Sequence, residues 1–259
     1  MIIKNPIPSQ IPEMKKLWME AFGESSEVVD DFFATAYSHD RCMVLSENGE
    51  VTSALYVFDC EYKGDKTAYI YAVATGEKYR GRGFCRRLMD ETHKYLKERG
   101  YAFALLHPGD ESLFDFYRKI GYETCGRVSE LSVEEVDMPF ELKSIDKDRY
   151  VSIRRKYLSE NEVFHKREAF DYLASFTNFY SFDGGVMTAF FYGDKKENLF
   201  SAEILADYEL NETHLGGIVK ALGRTRGVFR LKAGDVPFTM GFSLCKDVPA
   251  KVEFTLALD

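Results

Sequence analysis

The chain has 259 residues, 45% of them apolar, and a formal net charge of −8. That is enough apolar material for one large or two modest domains, and the acidic balance argues against a nucleic acid duplex as the main partner, which would call for a basic face. No run of about 18 apolar residues is present to span a membrane, and Met1-Ile2-Ile3-Lys4-Asn5-Pro6 lacks a signal peptide's basic start, apolar centre and cleavage site.

Ser9 is the predicted cap of a first helix that carries Ile11, Met14, Leu17, Trp18, Ala21 and Phe22 on one face and closes at Gly23. A second helix covers roughly 28–37. Strands at 43–46 and 51–58 form a hairpin around Asn48-Gly49, a pair suited to a type I′ turn because both central residues need positive φ. A turn at Gly64-Asp65 leads into the apolar strand Tyr69-Ile70-Tyr71-Ala72-Val73-Ala74. The helix over 84–99 turns Cys85, Leu88, Met89, Thr92 and Leu96 to the sheet and ends at Gly100. A buried strand at 102–106, the turn His107-Pro108-Gly109-Asp110, a short helix over 112–120 ending at Gly121, and a strand over 123–133 follow. A linker near Val136-Asp137-Met138-Pro139 sets the predicted domains at 1–135 and 136–259. Beyond it the pattern gives helices over 148–158 and 166–176, strands around Gly184-Gly185 and Gly193-Asp194, and a strand over 199–206. A helix over 214–222 and strands at 228–231, 239–244 and 252–258 complete the chain.

Cys42, Cys60, Cys85, Cys125 and Cys245 are odd in number and show neither metal-ligand nor C-x-x-C spacing, so they read as reduced thiols of a cytoplasmic protein with no metal site. The most informative run is Lys78-Tyr79-Arg80-Gly81-Arg82-Gly83-Phe84, which joins the apolar strand to the long helix. Two glycines at a strand-to-helix turn let the backbone approach a ligand with no Cβ in the way. The first N–H groups of the helix lack internal acceptors and point outward as anion donors. Arg86 and Arg87 place positive charge in the first turn against the helix dipole, at a cost of about a few tenths of a kcal/mol that a bound polyanion reverses. The turn therefore reads as a phosphate holder. It is not a P-loop, and it is not a dinucleotide fingerprint, because Arg86 stands where the third glycine belongs.

The run resembles the acyl-CoA turn of the GNAT N-acetyltransferase family, [Q/R]-x-x-G-x-[G/A], with Lys78 in first place, departing from the usual Gln or Arg, Gly81 in fourth and Gly83 in sixth. The segment from Leu113 to Tyr122 is similar to the family's A-x-x-x-Y-x-x-x-G-F, with Tyr117 four residues before Gly121. The order of elements over residues 1 to about 135 is also that of the GNAT core. The resemblance implies an α/β (α+β) fold, a mixed twisted sheet flanked by helices, and acetyl-CoA as acyl-donor cosubstrate. It implies that Lys78, Tyr79, Arg80, Gly81, Arg82, Gly83 and Phe84 surround the diphosphate, and that Ala72 and Val73 pair through their backbone with the pantetheine arm. Tyr117 would protonate the CoA thiolate, since a phenol of pKa about 10 can donate to a thiolate as it forms. Backbone N–H groups near Val73 would meet the thioester oxygen. No base is assigned. The strand position where some members carry Glu is Thr67; His107 has a suitable ordinary pKa of about 6.5; Asp110 and Glu111 read as caps of the next helix. Cys85 reads as a small core residue, although a helix N-terminus can lower a thiol's pKa.

The implied reaction is acetyl transfer to a primary amine, on a small molecule or a peptide, with no nucleic acid or membrane partner. In this family the acceptor usually enters beside the first two helices, and residues 22–33 mix acids and aromatics that suit an ammonium group; read plainly, they are a surface helix with acids in its first turn. From about residue 149 the order of elements begins again without the glycine turn, which resembles the tandem arrangement of Eis-like proteins. Gly216-Gly217 lack flanking basic residues, so no CoA site is assigned there. This second half reads as a degenerate copy that walls the acceptor pocket or supports a homodimer, with an unrelated α/β domain as the other reading. Two further functions stay open: a non-catalytic CoA-binding or scaffolding module, because no base is identifiable, and a tandem-GNAT aminoacyl or acyl transferase, against which the acidic balance counts.

Overall fold

The computed structural model describes residues 2–232 and 234–258. In chain order the strands are β1 (Ile2–Lys4), β2 (Cys42–Glu47), β3 (Glu50–Tyr62), β4 (Asp65–Thr75), β5 (Phe103–Leu106), β6 (Glu123–Glu134), β7 (Lys143–Ile145), β8 (Phe164–His165), β9 (Asn178–Phe182), β10 (Gly185–Tyr192), β11 (Asn198–Ser201), β12 (Ile204–Ala206), β13 (Arg226–Lys232) and β14 (Val236–Ser243). The helices are α1 (Ile11–Phe22), α2 (Ser26–Thr35), α3 (Phe84–Glu98), α4 (Glu111–Arg118), α5 (Lys147–Arg154), α6 (Arg167–Leu173) and α7 (Glu212–Ala221). The chain divides into two compact units, neither of them a single stretch. The first holds the residues up to Cys125 together with Val163–Tyr172 and Thr239–Ala250; the second holds Gly126–Glu162, Leu173–Phe238 and the stretch from Lys251 onward.

The first unit's strands lie in the order β1-β2-β3-β4-β5-β14, every neighbouring pair antiparallel except the parallel β4 and β5. Beyond the start of β2, the short β8 pairs with β3 through Cys60 opposite His165 and Glu61 opposite Phe164. α1 starts at Ile11 rather than at a Ser9 cap: Pro12 lacks an N–H and fits only the first turn, and Ser9 is taken into a single 3-10 turn before it. α1 ends on Gly23 at φ 70, as expected. α2 begins two residues earlier than its apolar pattern, because the Ser25 hydroxyl accepts from the Val28 N–H at 3.5 Å. Asn48 and Gly49 both have positive φ in the β2–β3 hairpin. The next turn is Lys63-Gly64 rather than Gly64-Asp65. One face of this sheet packs Leu45, Leu55, Ile70 and Leu106 under Leu88, Met89 and Leu96 of α3. The other is aromatic: Trp18, Phe32, Tyr56, Phe58 and Tyr172 are all at most 3% exposed.

The second unit repeats the arrangement. Its strands lie in the order β7-β9-β10-β11-β13-β6, again antiparallel except for the parallel β11 and β13. The core joins Met187, Leu199 and Phe229 to Leu215, Ile218 and Val219 of α7. The strand expected over 199–206 is broken into β11 and β12, with Ala202 and Glu203 between them. Residues 252–258 are not a strand: Val252, Phe254, Leu256, Ala257 and Leu258 are buried, but the stretch has only an isolated bridge from Glu253 to Glu162. Alternating apolar residues there report burial, not pairing.

Candidate functional site

The site begins where β4 loses its partners. β4 pairs with β5 only from Thr67 opposite Phe103 to Tyr69 opposite Leu105, and beyond that point the two strands part. On its other side the register against β3 slips: Ala54 faces Ala74 and Tyr56 faces Tyr71, so Leu55 stands opposite both Ala72 and Val73. Ala72 takes φ 47, a left-handed conformation a bulge imposes on a non-glycine residue. A bulge leaves backbone N–H and C=O groups outside the ladder, free to pair with something else.

The turn that follows is held from behind. The Gly76 N–H donates to the Thr52 carbonyl at 3.0 Å, and the Glu77 N–H to the Glu20 carboxylate at 2.7 Å. One 3-10 turn, Glu77–Tyr79, leads to extended Arg80, then Gly81 and Gly83 at φ 74 and 75. A Cβ built on either glycine meets nothing within 4 Å, so both face open space. Gly83 is the N-cap of α3 and has no side chain to satisfy the helix; no acid stands in the first turn. The Arg87 N–H donates to the Gly83 carbonyl at 3.1 Å, so the N–H groups of the turn before it have no helical acceptor.

The bulge and the turn open into one cleft of about 740 Å³. Of the residues singled out in the sequence, Val73, Tyr79, Arg80, Gly81, Gly83, Phe84 and Tyr117 line it. Ala72 sits half-buried at the bulge, outside the lining. Arg82 pairs with Glu47 at 2.7 Å. Lys78 points elsewhere: its ammonium lies 2.8 Å from Glu50, and it lines a separate groove of about 780 Å³ with Glu13, Lys16 and Glu20. His107 is not in the cleft lining, and Thr67 is buried with its hydroxyl donating to the Asp65 carbonyl at 3.1 Å. The cleft also takes in Arg86 of the phosphate turn, Phe22 of the stretch read as acceptor-facing and Asp110, together with Ala21, Cys85, Leu113 and Phe116, to which the sequence reading gave no place there. Arg86 carried the clearest signal, a cation against the dipole of its own helix.

Burial sets the charge states. Tyr117 is 7% exposed, and burial, then Cys85 and Asp110, hold its phenol above the ordinary range. Burial pushes the Cys85 thiol up to about 12, so this cysteine is a neutral lining residue. Asp110 caps α4, accepting from the Ser112 and Leu113 N–H groups at 2.8 and 3.2 Å, and the Ser112 hydroxyl, which also donates to it, holds its carboxyl below the usual range. Thiol, phenol and carboxyl each keep one charge state around neutrality.

The family model described as an acetyltransferase (GNAT) domain matches residues 3–125. Over 127 residues the chain is 28% identical to the uncharacterized N-acetyltransferase YhbS of Escherichia coli, covering 48% of this chain and 74% of that protein. The structure of a GCN5-related N-acetyltransferase from Kribbella flavida is similar over 94% of this chain and 72% of its own, with a TM-score of 0.70 at 18% identity. Eis1 from Mycobacterium abscessus is similar over 94% and 74%, with a TM-score of 0.67 at 11% identity. At these identities the structural likeness speaks for the fold alone.

Proposed function

We propose that this chain, in which residues 3–125 are a GNAT acetyltransferase domain, is an acetyl-CoA-dependent N-acetyltransferase acting on a primary amine. The observation that carries the reading is a helix start with no side-chain cap and no acid, opened by two left-handed glycines at the mouth of the cleft. The N–H groups from Arg82 to Arg86 would hold a diphosphate, with Arg80 and Arg86 adding charge from the cleft wall. Backbone groups of Ala72 and Val73, released by the bulge, would take the pantetheine arm. Acetyl-CoA supplies the acetyl group as an activated thioester. Tyr117 keeps its proton through neutral pH and is the donor for a departing thiolate. Among the described residues that line the cleft Asp110 is the carboxylate, and it is engaged as the cap of α4 with its carboxyl held below the usual range, so the acceptor would enter the reaction as the neutral fraction of its own amine. Five free cysteines support a cytoplasmic setting, and no described helix is long and apolar enough to cross a membrane.

Calorimetry with acetyl-CoA and CoA, followed by thiol release over a panel of amines, tests the reading. Tyr117→Phe should lower turnover by about 100-fold while acetyl-CoA affinity stays unchanged. Unchanged turnover would remove Tyr117 as the acid. Binding without thiol release from any amine would favour a CoA-binding module instead.

A further inference from the structure

Glu47 and Glu50 stand directly opposite each other where β2 turns into β3, with Asn48-Gly49 between them. Like charges paired across a hairpin destabilise it. Here each carboxylate meets a cation from one outside segment, the turn that opens α3. Arg82 Nη2 lies 2.7 Å from Glu47 Oε2, and Lys78 Nζ lies 2.8 Å from Glu50 Oε2. The Tyr79 hydroxyl donates to that same Glu50 oxygen. A hairpin end that would repel itself and a turn crowded with positive charge satisfy each other.

These contacts reach the cleft through Tyr79. Its ring stacks on Phe84 with centres 5.9 Å apart and planes 26° apart, and both residues line the cleft. The Arg82 guanidinium lies 4.5 Å from the Phe84 ring centre and 5.5 Å from that of Tyr79, so the arginine paired with Glu47 rests on both rings. β3 holds the start of the turn as well, because Thr52, two residues beyond Glu50, accepts from the Gly76 N–H at 3.0 Å. Between Gly76 and α3 the chain passes through Gly81 and Gly83, whose wide conformational freedom works against a fixed set of N–H donors.

We propose that the β2–β3 hairpin braces this turn for the donor, with Glu47 and Glu50 as positioning residues that act through Arg82, Lys78 and Tyr79. The proposal rests on the transferase reading above. Two carboxylates that did nothing but carry charge would repel a polyanion and weaken its binding. A brace strengthens binding, because the glycine-rich segment is ordered before the ligand arrives. The two roles give effects of opposite sign.

The test is calorimetry with acetyl-CoA, together with thiol release from acetyl-CoA and from S-acetylpantetheine, a donor without the diphosphate. Glu47→Gln with Glu50→Gln should weaken acetyl-CoA binding about 5-fold, the scale of a few exposed ion-pair contacts, and raise its KM by the same factor. Turnover at saturating donor and the urea midpoint should stay unchanged, and so should kcat/KM for S-acetylpantetheine. Tyr79→Phe, which keeps the ring and alters no charge, should weaken acetyl-CoA binding about 3-fold through loss of the Glu50 bond. Tighter binding by the double variant, unchanged binding in either variant, or equal losses for the two donors overturns the brace with the transferase reading intact. Binding by the unaltered protein with no thiol release from any amine overturns the transferase reading alone, and calorimetry still decides the brace. Failure of the unaltered protein to bind acetyl-CoA overturns both.

Discussion

The two units carry their strands in the same order and directions, yet corresponding helices begin in opposite ways. α3 starts at Gly83 with no cap, no acid and four arginines around the turn, Arg80, Arg82, Arg86 and Arg87. α7 starts at Asn211, whose side chain accepts from the His214 N–H at 3.0 Å while His214 Nδ1 accepts from the Asn211 N–H at 3.2 Å. Glu212 adds a negative charge to that first turn. One helix has neither a capping side chain nor an acid at its start; the other supplies both from its own sequence. The strands behind them differ in the same sense. β4 parts from β5 at a bulge bearing Ala72, whereas between β11 and β12 the wholly buried Glu203 fills the break. Arg154 Nε and Nη2 reach its carboxylate at 2.6 and 2.8 Å, and the Tyr150 hydroxyl donates to it at 2.6 Å. In the second unit the break between strands is thus filled by polar groups that satisfy one another.

The largest effect should come from breaking that plug. Arg154 is 3% exposed and Glu203 not at all, so Arg154→Leu leaves a carboxylate with no counter-charge of its own. Burial works against charge on both partners, but each overrides it for the other: Arg154 holds the Glu203 carboxyl below its ordinary range, and Glu203 holds the guanidinium charged. The expected loss is about 3–5 kcal/mol in urea unfolding. Arg154→Leu with Glu203→Leu should recover most of it. A single-variant loss below about 1 kcal/mol would mean that water or Lys232 compensates and that the plug is not what closes the break.

Glycines sharpen the contrast, because the two helices use them for different reasons. At Gly83 a side chain meets no protein atom but must adopt φ 75 and stand where a ligand would approach. Gly83→Val should weaken acetyl-CoA binding about 100-fold or more in calorimetry, or about 2.7 kcal/mol. At Gly216 a Cβ would lie 2.4 Å from Val136 and 2.8 Å from the Glu134 carbonyl, so the residue is there to let α7 pack. Gly216→Val should cost about 1–3 kcal/mol of stability through overpacking. If Gly83→Val lost stability but kept its affinity, the two glycines would be doing the same job and the anion-site reading of α3 would fail.

Much of this was legible from local pattern and some could not be. The strand-to-helix turn was readable because glycine and uncapped arginines at a helix start are local chemistry. Lys78 shows the limit: the motif fixes the backbone, but a flexible side chain goes to the nearest carboxylate, here Glu50. Ala21 and Phe22 sit on a helix face whose pattern reports burial without saying against what. The membership of Val163–Tyr172 in the first unit depends on pairing between residues some hundred positions apart, such as Cys60 with His165. Glu203 read as one more residue of a strand, because nothing adjacent announces that Arg154 and Tyr150 converge on it.

The smallest expected effect tests the cap of α7. Asn211→Ala removes the acceptor for the His214 N–H and leaves the His214 ring with one bond of the reciprocal pair. Loss of such a cap costs about 1 kcal/mol, read as a lower urea midpoint. The companion variant Asn211→Gly should cost only a few tenths of a kcal/mol, since glycine is nearly as good an N-cap as the polar residues. Neither variant should create affinity for acetyl-CoA at α7, because Glu212 still repels an anion and Glu203 still fills the break behind it. A second acetyl-CoA equivalent bound by Asn211→Gly would mean that the cap alone separates the two helix starts and that the buried plug contributes nothing to the difference.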